Sequence, residues 1–278
     1  MKREPVVAGQ FYSGSKDSLL KEMKGLIGKG GATRTDAIGI VSPHAGYMYS
    51  GHVAGSVFSS ITQKAAYIIM GPNHTGMGAP FGITTAESWK TPLGDVKVDG
   101  ALAEGIKENC GLVEFDDISH ASEHSIEVQL PFIQYMQKDF RFVPIVIASA
   151  SVDIYRRIGK AIANSIKGLN MENDTMIVAS SDMTHYESAD SARKKDDAAI
   201  KAVLALDEDK LMNRISELDI TMCGCAPTAI MLAAAKELGA NTARLVEYAN
   251  SGDATGDYSS VVGYAGIVVY KNNSGKGA

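Results

Sequence analysis

The sequence has little cysteine, no long apolar run and no cluster of positive charge. Its three cysteines are too few for a disulfide framework. No window approaches the roughly 18 apolar residues of a membrane span, and the charged N-terminus lacks the apolar stretch of a signal peptide. The net charge of −5 comes without a basic patch, so neither nucleic acid nor membrane is an expected partner. These absences favour a protein of the reducing cytoplasm.

What the chain does have is a regular alternation of apolar, strand-like runs and helical patterns. Its 278 residues, 45% of them hydrophobic, allow a sizeable core. Such alternation predicts an α/β fold, with a central mixed, largely parallel sheet flanked by helices. We expect one domain over residues 1–278, with a glycine-rich loop at 28–35 and a flexible tail at 272–278.

Three further segments of secondary structure are predicted near the histidine-containing motifs. We expect a helix from Ser50 or Gly51 to residue 63 and a short strand over residues 82–86. A further helix is expected over residues 122–137, where Pro131 predicts a kink or an early stop.

Two histidines follow strand-like runs in the same way. His44 and His74 each come just after a short apolar run closed by proline, which has no N–H for the ladder and so leaves the histidine on the loop. Asp182 and His185 follow the predicted strand 175–180. Ligands of open α/β sheets bind at the carboxyl ends of the strands, so we expect these side chains to meet there.

Cys223 lies at the N-terminal side of a predicted helix and can reach the same edge. A helix N-terminus favours the thiolate, which is the form that binds metal. Two neutral imidazoles with a thiolate or carboxylate suit zinc, iron(II) or copper(I). Asp182 is placed to fix the tautomer of His185, which would then act as a general acid or base.

Each candidate also has an ordinary structural explanation. A loop histidine often only binds backbone groups, and a free cysteine is usually a small buried hydrophobe. Glu123, at a predicted helix start, suits a capping role as well as a place behind a pocket. Tyrosines suit a pocket wall and the core equally. The candidates for the pocket or for contacts behind it are Glu123, His124, Tyr47, Asn73 and Tyr258.

Several short motifs follow one another from end to end of the chain. They are Ala8-Gly9-Gln10-Phe11-Tyr12, Pro43-His44-Ala45-Gly46-Tyr47, Gly71-Pro72-Asn73-His74, Glu123-His124-Ser125-Ile126-Glu127, Ser180-Ser181-Asp182 with His185, Cys223-Gly224, Asn250-Ser251-Gly252-Asp253 and Gly256-Asp257-Tyr258-Ser259-Ser260. In this order they resemble the Memo family, in its archaeal or bacterial branch.

The resemblance implies a fold similar to the class III extradiol (LigB-type) non-haem iron dioxygenases, which hold iron with two His and one Glu and use a further His as base. By position it implies His44, His74 and Cys223 as metal ligands and His185 as the base. Since Cys223 stands where a Glu is expected, metal binding is a firmer expectation than dioxygenase activity. Iron(II) or copper is favoured over zinc, with no nucleotide cofactor. The resemblance also associates prokaryotic members with Ammecr-type and radical-SAM proteins.

Three hypotheses follow. The first is a metal-binding protein with redox or oxygen-dependent activity, in which His185 and Asp182 form the acid/base pair. The second is a non-catalytic module that binds a peptide or protein and retains the pocket. The third is a metal-free hydrolase or transferase built on Cys223 and His185, which requires a thiol of depressed pKa.

Overall fold

The centre of the fold is a mixed sheet whose middle strands are parallel. The computed structural model describes residues 1–28 and 34–272, so the predicted glycine-rich loop falls mainly, and the predicted tail almost wholly, outside the described residues. The strands are β1 (Lys2–Arg3), β2 (Ala37–Ser42), β3 (Ala66–Pro72), β4 (Phe81–Ile83), β5 (Ser88–Thr91), β6 (Gly94–Val98), β7 (Glu114–Phe115), β8 (Arg141–Ile147), β9 (Thr175–Ser180), β10 (His185–Glu187), β11 (Thr242–Asn250) and β12 (Val261–Tyr270). The helices are α1 (Lys16–Leu26), α2 (Tyr47–Ser59), α3 (Gly100–Asn109), α4 (Leu130–Met136), α5 (Val152–Gly168), α6 (Ala189–Leu204), α7 (Glu208–Glu217), α8 (Cys225–Glu237) and α9 (Gly252–Thr255).

The described strands form one sheet in the order β1-β5-β6-β8-β3-β9-β2-β12-β10, with β11 beside β12 and β4 beside β8. The neighbours β6, β8, β3, β9 and β2 run parallel, whereas β12 is antiparallel to β2. The prediction of an α/β fold with a mixed, largely parallel sheet is confirmed.

Successive residues of β3 face opposite layers, as strand geometry requires. Ile68 and Met70 pack into a core with α3, α5, α6 and α8, while Tyr67 and Ile69 pack into a second core with α1, α2 and α4. Helices cover both faces, which is the usual environment of parallel strands. Within the described ranges, every helix falls short of the length and apolar character needed to cross a membrane.

The helix after His44 begins earlier than predicted, at Tyr47 rather than at Ser50 or Gly51. Gly46 occupies the N-cap position without a side-chain bond, and the N–H of Tyr47 donates to the Phe11 carbonyl at 2.7 Å. A contact between distant segments therefore fixes the start of α2, where sequence rules look for a local polar cap.

The predicted helix over 122–137 is wrong in its first part. The Glu123 carboxylate accepts the N–H groups of His124 and Ser125, each at 2.9 Å, and this local bonding competes with a helix. A single 3₁₀ turn, Glu127–Gln129, leads into α4. Pro131 consequently lies in the first turn of α4, where no N–H is needed, rather than in the middle of a helix.

Two glycines provide a matched test of the packing that holds α2. A Cβ on Gly55 would lie 2.2 Å from the Leu26 carbonyl oxygen, whereas one on Gly25 would meet nothing within 4 Å. We expect Gly55→Ala to destabilise the protein by about 3 kcal/mol through overpacking. Gly25→Ala, in α1, should stabilise it by about 0.5–1 kcal/mol. Denaturant unfolding checks both values, and equal stabilities of the two variants would contradict the close helix contact.

Candidate metal centre

Three adjacent parallel strands deliver the predicted residues to one edge of the sheet. His44 follows β2, His74 follows β3 and Asp182 follows β9, in the spatial order β3-β9-β2. The donor atoms of His44, His74 and Cys223 all lie within 4.8 Å of one another. Cys223 Sγ is 3.2 Å from His44 Nε2. The predicted convergence of these three side chains is therefore present.

Cys223 reaches this edge on the loop between α7 and α8. The Asp182 N–H donates to Cys223 Sγ at 3.3 Å, and the Gly224 N–H donates to Ser181 Oγ at 3.0 Å. The loop is thus bonded directly to the residues that follow β9. Because two hydrogen bonds hold it there, the thiol position is defined by the sheet edge.

The tautomer of His44 follows from its hydrogen-bond partners. His44 Nδ1 lies 3.0 Å from Ser180 Oγ, and Ser180 Oγ donates its single proton to the Ser125 carbonyl at 2.6 Å. Ser180 must therefore accept from His44 Nδ1–H, since a hydroxyl has one proton to give. The lone pair is left on Nε2, facing the thiol. Burial and the neighbouring imidazoles lower the pKa of His44, which keeps the ring neutral.

His74 is fixed in the same tautomer by a buried carboxylate. Its Nδ1 lies 3.0 Å from Glu123 Oε1, and its backbone N–H donates to Glu123 Oε2 at 2.8 Å. An ionised carboxylate only accepts, so Nδ1 carries a proton, and in the neutral ring the lone pair is on Nε2. Burial alone would raise the pKa of Glu123, but hydrogen bonds from His74 and backbone amides outweigh it and lower that pKa. Burial opposes protonation of His74, yet the Glu123 bond raises the pKa of the imidazole.

His185 also has its Nδ1 bonded to the protein, but its hydrogen-bond partner differs from the predicted one. Its Nδ1 lies 2.8 Å from the Thr221 carbonyl, which can only accept, so Nε2 again keeps the lone pair. Asp182 was expected to fix this tautomer, but its Oδ1 instead accepts the N–H groups of His44 at 2.7 Å and Ala45 at 3.3 Å. Burial raises the pKa of Asp182 against those bonds.

A cavity of about 690 Å³ opens beside these side chains. His44, His74, His124, Asp182 and His185 all line it. The His124 ring stacks on His74, with ring centroids 4.9 Å apart and planes at 16°. His124 therefore lies in the cavity wall, and Glu123 lies behind the wall as the partner of His74.

Three other predicted pocket residues do not line this cavity. Tyr47 is 2% exposed and belongs to the core, because its hydroxyl donates to the Val128 carbonyl at 2.6 Å inside the protein. Tyr258 is 49% exposed, and its hydroxyl lies 3.2 Å from Asp253. Asn73 holds its own turn, since its Oδ1 accepts the Gly76 N–H at 2.8 Å, and it lines a smaller neighbouring cavity together with His74 and Cys223.

The hydrogen-bond partners behind the histidines were not predicted from the sequence. Ser180, Gln129 and Thr221 carry no catalytic signature, and only the motif Ser180-Ser181-Asp182 drew attention to one of them. Gln129 Nε2 donates to Ser180 Oγ at 2.8 Å, which further commits that hydroxyl to accepting. Such partners are typical of metal-binding histidines, whose second nitrogen is hydrogen-bonded to the protein.

A second donor set shares His74. His74, Glu123 and His124 also offer atoms within 4.8 Å of one another. However, the Glu123 oxygens already accept four N–H bonds, from the ring and backbone of His74 and the backbones of His124 and Ser125. In the set containing Cys223, Sγ accepts one backbone N–H, from Asp182, and His44 Nε2 contacts only Sγ, a member of the same set. Because this set is far less engaged by hydrogen bonds than the Glu123 oxygens, we assign the candidate centre to it.

The metal-free alternative finds no support in the geometry. The Cys223 thiol faces His44 rather than His185. Burial raises the pKa of Cys223 well above its usual range, and the nearby Asp182 charge adds to this effect. A nucleophilic cysteine needs the opposite shift.

Fold and site together define the class of this protein. It is an α/β protein with a candidate metal centre of two imidazoles and one thiol at the ends of its strands. The chain belongs to the Memo-like protein family, whose family model matches residues 3–268. It is 43% identical to a MEMO1 family protein of Methanosarcina barkeri over 96% of this chain and 99% of that relative. It is 41% identical to relatives from Methanopyrus kandleri (96% and 99%) and Aquifex aeolicus (96% and 98%). The resemblance seen in the motifs is confirmed.

The His44 tautomer can be tested without any metal. Ser180→Ala removes the acceptor of His44 Nδ1–H, so we expect nitrogen NMR of histidine-labelled protein to change from one tautomer to a mixture. The lost buried bonds should also cost about 1–3 kcal/mol of stability. Ser42→Ala is the matched control: Ser42 pairs with Ser180 across β2 and β9, and its buried Oγ has no partner among the described residues. An unchanged tautomer in Ser180→Ala would contradict the assignment.

Proposed function

We propose that the protein binds one redox-active transition metal, iron(II) or copper, through His44 Nε2, His74 Nε2 and Cys223 Sγ. The observation that supports this most strongly is the common tautomer of the histidines. Each Nδ1–H is bonded to the protein, so in the neutral form of each ring the lone pair is on Nε2, where a metal can take it. Neutral imidazoles with free Nε2 atoms are the form in which histidine binds metals.

The donor set fits such an ion. A thiolate with two imidazoles is softer than the oxygen ligands that magnesium or calcium prefer. Three protein ligands leave further coordination positions free, which is the arrangement of a catalytic rather than a structural metal. A bound iron or copper ion would supply one-electron redox chemistry and a Lewis acid at the cavity floor.

His185 supplies the acid–base function in this proposal. It lines the cavity, and its proton is held on Nδ1 by the Thr221 carbonyl. Its Nε2 is therefore a base that can take a proton from a substrate hydroxyl group in the cavity. Asp182 supports the site differently, by holding the backbone of His44 and Ala45 at the start of α2.

Family membership supports the metal more than the reaction. Similarity to extradiol dioxygenases motivates an oxygen-dependent activity, while Cys223 in place of a carboxylate motivates the alternative of a binding module without turnover. Three free cysteines suit a reducing cytoplasm.

Metal analysis after anaerobic purification tests the ligand set. We expect about one iron or copper ion per chain, and His74→Ala or Cys223→Ser should lower the affinity at least about tenfold. His185→Ala should keep the metal, because His185 is not a ligand. His52→Ala is the matched control, since His52 lies on α2 and contacts Glu247 instead. Wild-type protein without stoichiometric iron or copper, or unchanged affinity in His74→Ala, would refute the proposal.

A further inference from the structure

Tyr186 combines a costly backbone conformation with an exposed side chain. Its φ of 59° lies in the left-handed region. Glycine adopts this conformation readily, but it is unfavourable for a residue with a bulky side chain. The side chain is 79% exposed, so packing within the chain does little to offset that cost. His185 pairs with Val262 and Glu187 with Val261, which makes Tyr186 the extra residue of a β-bulge.

The bulge places the Tyr186 ring at the cavity of the candidate centre. Tyr186 lines the same 690 Å³ cavity as His44 and His185, and its ring meets the His185 ring edge-on, with centroids 5.8 Å apart. Bulges beside active sites re-aim side chains. An observed backbone outlier at such a place is a reason to infer a function for it. An exposed ring at the cavity rim offers a stacking surface to a flat ligand.

The charge of the cavity wall restricts that ligand. Among the described residues, the wall contains two carboxylates, Asp182 and Asp257, and no lysine or arginine. Asp182 is already engaged inside the protein, because its Oδ1 accepts the N–H groups of His44 and Ala45 just before α2. Asp257 remains on the rim of the cavity, where its carboxylate repels a negatively charged ligand. The remaining side chains of the wall that can carry a charge near neutral pH are four imidazoles, those of His44, His74, His124 and His185. The wall therefore offers a phosphate or carboxylate no permanently positive side chain and no bidentate guanidinium.

We propose that Tyr186 is a specificity-determining residue that stacks on a planar, uncharged or cationic ligand, and that Asp257 disfavours anionic ones. This deepens the proposed function, because it assigns a ligand class to the same cavity. It does not require the metal, since the contacts involve only Tyr186 and Asp257. A cationic ligand gains further from cation–π attraction to the tyrosine ring.

Three probes that share one phenol ring and differ in charge test the proposal on the full, metal-free chain. They are tyramine, para-ethylphenol and para-hydroxyphenylpropionate, titrated by ligand-observed NMR at neutral pH and low ionic strength. We expect the cation and the neutral probe to bind about fivefold or more tightly than the anion. Tyr186→Ala should weaken the two favoured probes about fivefold, and Tyr186→Phe should not. Tyr258→Ala is the matched control, because Tyr258 is exposed but not part of the cavity wall.

Two further variants test the charge of Asp257 and the backbone strain at Tyr186 separately from the stacking of the Tyr186 ring. Asp257→Asn should reduce the preference for cation over anion about twofold to threefold, whereas Asp139→Asn, at another cavity, should not change it. Tyr186→Gly should melt a few degrees above Tyr186→Ala, because only glycine adopts the left-handed conformation without cost.

The outcomes are distinct. Absence of binding by the cation and the neutral probe, tightest binding by the anion, or unchanged binding in Tyr186→Ala would each overturn the proposal. Equal melting temperatures of Tyr186→Ala and Tyr186→Gly would overturn its basis in strain. A chain that binds no metal can still show the expected titrations, so the ligand proposal and the metal proposal fail separately.

Discussion

Each imidazole at the sheet edge must give its Nδ1–H to the protein if its Nε2 is to stay available. The three acceptors differ in kind: a hydroxyl on Ser180, a carboxylate on Glu123 and a backbone carbonyl at Thr221. Only the carboxylate adds a charge that favours protonation of its imidazole. The hydroxyl and the carbonyl fix the tautomer without that effect, so the ring of His44 remains a neutral donor.

The irregular segment 123–129 supplies most of this support. Glu123 holds the His74 imidazole, while the Ser125 carbonyl and the Gln129 amide together force Ser180 to accept from the His44 imidazole. A regular helix over this segment would use the same amides and carbonyls for its own ladder. The departure from helical structure is therefore what frees these backbone and side-chain groups to orient the site, and buried polar groups satisfied in this way make a rigid network.

The sequence carries local information about the site and little about its supports. Apolar runs closed by proline place His44 and His74 at strand ends, and the architecture then brings them together with Cys223. The acceptors come from segments remote in the chain, so no spacing rule marks Thr221 as the partner of His185. Tyr47 shows the related limit: it lies in a conspicuous motif, yet the early start of α2 turns its ring into the core.

One short loop links the two proposed functions of the site, metal binding and acid–base chemistry. Thr221 fixes His185 through its carbonyl, and Cys223, two residues on, carries the thiol. Met222 between them is 3% exposed and anchored in the core, so the loop has little freedom to move one partner alone. Because burial raises the pKa of Cys223, a metal must displace the thiol proton to bind. The position of His185 is therefore set by the same few backbone atoms that hold the thiol of the candidate centre.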